Sequence, residues 1–191
     1  AWQEKMFTDE GNRLIFNLAH QPPAGKFIYA IEVNYGEKTQ MISSKTDPVM
    51  IRFKGAVPTY ILAPHIVCMF LSMLLSVVAL FEAIFRTESY KTIGRVTLGC
   101  LMLGGMILGP IVQKFAFGVY WAGFPYDWDL TDNKLLIGVL AWVMGVGLTI
   151  KNKKRWPTIV AAIVLFAVYS IPHSMMGSQY DYDKGEVTTD K

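Results

Sequence analysis

The chain has 191 residues, of which 52% are hydrophobic and only 17% charged, with a formal net charge of +3. That charged fraction lies below the roughly 25% of ordinary soluble domains, and the mean hydropathy is +0.32. The small positive charge forms no basic patch interleaved with aromatics, so nucleic-acid binding has no support.

Residues 1–59 read as ordinary soluble sequence. "HQPPAG" (20–25) is a rigid loop, because consecutive prolines exclude both helix and ladder hydrogen bonds. "KFIYAIEVNY" (26–35), "TQMISS" (39–44) and "PVMIRFKG" (48–55) are strand candidates, with "GEK" (36–38) as the turn between the first two. The reading is a small β-module at 1–59, half of a sandwich, too small to bury much core alone.

Four apolar runs follow, at 66–85, 96–112, 135–150 and 158–171. The first is long enough, at 1.5 Å per residue, to cross about 30 Å of hydrocarbon. The last two are short and depend on flanking aromatics or local thinning. None shows the polar stripe that a helix of a soluble bundle would carry. The expectation is a membrane all-α domain of four transmembrane helices at 60–175, followed by an acidic tail at 176–191.

Orientation comes from the short loops. Residues 86–95 hold Arg86, Lys91 and Arg95 against Glu88, and 151–155 reads "KNKKR". Basic loops stay cytoplasmic. The β-module, the 113–134 connection and both termini then fall on the outer side, which is the periplasm in a bacterium. A chain beginning at Ala1 suits either removal of an export signal or a fragment of a longer protein. Cys68 and Cys100 lie in apolar runs and read as small hydrophobes rather than as a disulfide framework.

Chemistry-bearing residues gather at the outer level. "GFPYDWDLTDNK" (123–134) crowds Asp127, Asp129 and Asp132 before the third run. His65 follows Pro64 at the start of the first run, and His173 follows Pro172 at the end of the fourth. Two imidazoles and a carboxylate, His65, His173 and Asp129, would suit a transition metal, with Met69, Met175 and Met176 as soft neighbours. His65 and His173 would alternatively ligate a b-type haem. Plainer readings stand beside these: histidines hydrogen-bonded at helix ends, Thr131 or Asp132 as a helix N-cap, methionines as core filler, and Gly99, Gly104, Gly105 and Gly109 as a helix-packing face. Glu82 and Arg86 are spaced for an i,i+4 pair, and Lys114 is placed to pair with an aspartate. No GxSxG, P-loop, GxGxxG or HExxH occurs, and no inverted repeat. Nothing points to catalysis by the chain alone.

The strings "HQPPAGK", "RFKGAVP", "GPIVQKFAFGVYWAGFPYDWDLTDNK" and "IPHSMMGSQYDY" together resemble a group of bacterial inner-membrane proteins to which no activity is attached, over about residues 20–183. The resemblance places a histidine where this chain has Trp128. It implies the bacterial inner membrane and polar loops on the outer face, and supplies no mechanism. The expected role is a small structural subunit of a larger inner-membrane complex, respiratory or otherwise electron-transferring, with other membrane subunits and lipid as partners. The alternative is a haem- or metal-binding redox subunit built on His65, His173 and Asp129.

Overall fold

The computed structural model describes residues 2–151, 154–172 and 179–188. Four helices form the body: α1 (Thr59–Ile84), α2 (Tyr90–Phe117), α3 (Leu130–Lys151) and α4 (Trp156–Ser170). The first three are long and apolar enough to cross a membrane, while α4, at 15 residues, is shorter. Each helix starts earlier than its apolar run; in α2 and α3 polar residues complete the first turn. His65 therefore sits in the second turn of α1 rather than at its start.

The helices close into a ring in chain order. α1 packs on α2, α2 on α3, α3 on α4, and α4 back on α1. The side chains are distributed opposite to a soluble bundle. The buried stripe of α1 is Ser72, Ser76, Ala79 and Ala83, spaced four, three and four residues apart on one face. α4 likewise buries Thr158, Ala161, Ala162, Leu165 and Val168. Large apolar groups point outward: Phe70, Leu74 and Phe81 on α1, Leu103 and Ile107 on α2, Met144 on α3, Ile163 and Phe166 on α4. Small residues inside let the backbones approach closely. Gly138 meets Leu165, and Gly145 faces Ala161 and the Pro157 carbonyl. Trp142, Leu101 and Leu165 fill the centre. The buried hydroxyls of Ser72, Thr97 and Thr149 donate to carbonyls of their own helices, three or four residues back.

α2 departs from a regular helix. Leu101–Leu108 forms a π-helical segment, and the Gly109 N–H reaches the Gly104 carbonyl. Pro110 follows immediately. It cannot donate, and its ring would crowd the carbonyl four residues back, so a widened turn ahead of it relieves the conflict.

The strands do not build half a sandwich. β3 (Lys26–Tyr29) pairs with β6 (Val49–Arg52), and β4 (Ile31–Tyr35) with β5 (Lys38–Ser43). Both ladders are antiparallel and nested, so residues 26–52 form one long two-stranded ribbon that turns at Gly36, where φ is 59°. A bulge between Ile31 and Glu32 interrupts the β4–β5 ladder near the end that adjoins β3. Two smaller hairpins complete the set: β1 (Thr8–Asp9) with β2 (Leu14–Ile15), and β7 (Gln179–Asp181) with β8 (Glu186–Thr188).

The foot of the ribbon rests on the helix ends. Gly55 donates to the Ala116 carbonyl, and a side chain there would collide with the Phe115 carbonyl oxygen. Ala24 donates to the Phe53 carbonyl, Phe53 donates to the Gly25 carbonyl, and Tyr180 donates to the Ala24 carbonyl. The hairpin of the C-terminal tail thus joins the N-terminal module instead of standing apart. Both terminal regions lie at the end of the bundle where α2 and α4 finish and α1 and α3 begin.

Candidate functional site

The connection between α2 and α3 holds most of the buried charge, and its geometry begins at Gly118. That residue ends α2 with φ at 87°, a left-handed cap that glycine adopts without strain. The chain then folds back over the first turn of α3. The Phe124–Pro125 peptide bond is cis, and the Trp121 indole donates to the Phe124 carbonyl at 3.1 Å.

Three side chains of the α3 start hold this loop in place. Asp129 Oδ1 accepts from the Thr131 and Asp132 N–H groups, at 2.8 and 3.3 Å, so Asp129 is the N-cap. Asp132 Oδ2 accepts from the Ala122 N–H at 2.6 Å and from Gln113 Nε2 of α2 at 3.0 Å. Asn133 Oδ1 accepts from the Phe124 N–H at 2.7 Å. Gly123 is required here, since an added Cβ would lie 2.7 Å from that of Asp132. Asp127 takes a smaller part and accepts from the Trp128 N–H. Asp129 and Asp132 are 4% and 5% exposed, so their bonds replace solvation that water does not provide. The N-cap expected at Thr131 or Asp132 falls at Asp129 because the helix starts at Leu130.

Two cations complete the layer. Lys134, buried in the first turn of α3, donates to the carbonyls of Ile171 at 2.6 Å and Pro172 at 3.3 Å. It thereby ties the beginning of α3 to the chain leaving α4. Arg52, at the foot of the ribbon, lies 4.5 Å above the Phe117 ring centre. Burial draws its guanidinium below the usual arginine range, and the Asp129 carboxylate partly opposes that shift. Among the described residues Lys114 pairs with no aspartate. It donates to the Gly118 carbonyl at 2.6 Å and covers the Tyr120 ring, serving the end of its own helix. Glu82 and Arg86 do not pair either. α1 ends at Ile84, Arg86 turns left-handed at φ 64°, and Glu82 takes the Thr87 hydroxyl instead.

His65 serves a different contact. Its Nδ1 lies 2.9 Å from the Gly104 carbonyl, in the π-helical segment. A carbonyl only accepts, so Nδ1 carries the proton and the lone pair of the neutral ring is on Nε2. Asp129 meanwhile is spent on the α3 cap, and His173 lies outside the described residues, as do Met175 and Met176. Among the described residues no group of three His, Cys, Asp or Glu side chains could hold a metal ion. His20 packs edge-on against Phe53. The helix glycines behave as packing residues: Gly104 faces Cys68 and Met69 of α1, and Gly105 faces Leu135 of α3. Met69 is half-buried, and the Tyr169 hydroxyl donates to its backbone carbonyl at 3.1 Å and meets Ser72 Oγ at 3.0 Å.

Lys134, Arg52 and the Tyr169–Ser72 contact carry this architecture without having been singled out in the sequence, whereas the sequence places Gln113 at the outer end of the second run. A lysine in a helix first turn opposes the dipole, and that conflict was the available signal that Lys134 serves another element. No protein-family model matches the chain, and neither a curated protein nor a solved structure shows significant similarity to it.

Proposed function

We propose that the chain is a small integral-membrane subunit that presents its β-ribbon to a larger inner-membrane assembly. Lipid as solvent for the helices is supported by the outward large apolar groups and the small, hydroxyl-bearing interior. Basic residues at one end, Arg86, Lys91, Arg95, Lys154 and Arg155, favour the cytoplasmic side for that end, which assigns the ribbon and both terminal hairpins to the periplasm. The short α4 is accommodated by tilt or local thinning.

The observation that carries the subunit reading is the ribbon itself. A two-stranded ribbon is marginal in water by itself, and this one exposes Ile28, Met41, Ile42, Val49 and Met50. Between it and the N-terminal segment runs a groove of about 900 Å³, lined by Trp2, Phe7, Phe16, Phe27 and Tyr29 among others. Apolar surface of that kind, with open strand edges, is what a neighbouring chain covers. The layer at Asp129, Asp132 and Lys134 serves as the rigid base that aims the ribbon, its donors and acceptors being engaged internally.

The test places a photo-crosslinking residue at Ile42, at Met50 and at Phe166 of the full chain in its native membrane. Protein adducts at the first two positions, with lipid adducts only at Phe166, support the reading. A ribbon that crosslinks to nothing, in a chain purified as a stable monomer, removes it. The redox alternative retains one supporting observation, the fixed His65 tautomer with Nε2 as an acceptor, which is the form a ligand takes. A Soret band or stoichiometric metal in the purified chain would favour it over the structural role.

A further inference from the structure

At the end of the bundle opposite the ribbon, α2 and α4 both begin without a side-chain N-cap and without an acid in the first turn. Both N-termini turn the positive ends of their helix dipoles toward that end, although Thr92 donates to the Ser89 carbonyl and Thr158 to the Arg155 carbonyl. The side chains add to it. Lys91, Arg95 and Arg155 gather there; Glu88 takes Lys91 at 2.7 Å and Arg155 at 3.0 Å, while Glu82, in the last turn of α1, holds the Thr87 hydroxyl. Arg95 has no ion pair among the described residues.

Between α2, α3 and α4 at this level is a cavity of about 10 Å³, lined by Tyr90, Lys91, Arg95, Thr149 and Thr158 together with apolar groups. Space of that size admits one oxygen-sized group. Tyr90 is fully buried, yet its hydroxyl has no hydrogen-bond partner. Beside it, Arg155 covers the Tyr90 ring at 5.5 Å, and the buried Nε of Arg155 is also unpartnered. The threonine hydroxyls are already committed, Thr149 to the Gly145 carbonyl and to Thr158. Two buried donors are therefore without acceptors, in a place where cations and helix dipoles all favour negative charge. Buried donors of this kind favour an acceptor.

The geometry points to a phosphate-ester anion as the missing acceptor. One non-bridging oxygen enters the cavity to the Tyr90 hydroxyl, and the rest of the group stays on the rim with Lys91, Arg95 and Arg155. Helix N-termini beside Arg and Lys are the usual surroundings of bound phosphate, and a basic recess between apolar helices is suited to an anionic lipid headgroup. The inference stands on the recess and its orphaned donors, independently of what the ribbon binds.

The full chain in a neutral detergent, titrated with phosphatidylglycerol, phosphatidylcholine or inorganic phosphate, provides the test, read as unfolding temperature and as lipid retained in native mass spectra. Phosphatidylglycerol raises the unfolding temperature in a concentration-dependent way and phosphatidylcholine does not. An equal rise with millimolar inorganic phosphate identifies the soluble ion as the occupant; no rise with phosphate identifies the lipid. Tyr90→Phe keeps the ring and weakens anion binding about tenfold, the weight of one hydrogen bond to a charged group. Arg95→Gln, on the exposed rim, weakens it about fivefold and serves should Tyr90→Phe fail to fold. The same response to neutral and anionic lipid, or unchanged anion affinity in both variants, overturns the proposal; the Tyr90 hydroxyl then holds only a water.

Discussion

Asp132 is the residue on which the α2–α3 connection depends most. Its carboxylate accepts from the loop at Ala122 and from α2 at Gln113, at a position 5% exposed. Asp132→Ala strands a buried backbone N–H and should cost about 1–3 kcal/mol. Asp132→Asn keeps one acceptor oxygen and should lose less. Thermal unfolding of the detergent-solubilised chain orders the two. Asp129→Ala removes the α3 N-cap and should cost about 1 kcal/mol, with faster hydrogen exchange confined to the Thr131 and Asp132 amides. Gly104→Ala places a methyl 2.6 Å from the Cys68 Cβ, so α1 and α2 must part. Overpacking of that kind costs about 1–3 kcal/mol, whereas Gly99→Ala, with open space around it, should be close to neutral. The aspartates were readable in sequence as a cluster, and their use was not. Which carboxylate caps depends on where the helix starts, and the apolar run beginning at 135 concealed the polar first turn from Leu130.

Among the elements, the joint between ribbon and bundle turns on Gly55. A side chain there would approach the Phe115 carbonyl oxygen at 2.2 Å, a backbone atom that cannot rotate away. Gly55→Ala should therefore detach the foot of the ribbon while leaving the helices folded. Limited proteolysis within residues 20–55 would increase, with helical circular dichroism unchanged. At the other end, Glu88 clasps α2 and α4 through Lys91 and Arg155. Hydrogen bonds from those two cations hold its carboxyl below the usual glutamate range. A depressed folded value means that the clasp is complete above the ordinary pKa near 4.5 and is lost as pH falls through the lower folded one. The unfolding temperatures of the parent and Glu88→Gln should thus differ by a constant amount near neutrality and converge in acid. Glu88 is exposed, so the difference is small. The strands and the Gly36 turn were legible from alternation and turn chemistry. The pairing of 26–29 with 49–52 was not, because a nested ribbon and half a sandwich share the same local pattern. The π segment before Pro110 was hidden for a similar reason, since apolar periodicity does not register one extra residue per turn.

At the scale of the whole molecule, large apolar side chains point outward and small ones inward. Hydrophobicity alone located four helices; the outward position of Phe70, Phe81, Met144 and Phe166 and the inward position of serine, alanine and glycine favour lipid over water around them. The direct test uses the chain with Cys68 and Cys100 replaced by alanine and one new cysteine, Met41→Cys on the ribbon or Lys154→Cys in the basic loop. A membrane-impermeant maleimide is applied to intact bacterial spheroplasts and then to permeabilised ones. The account predicts labelling of Met41→Cys at once and of Lys154→Cys only after permeabilisation. Immediate labelling of both positions, the reverse order, or recovery of the chain in the soluble fraction would contradict it.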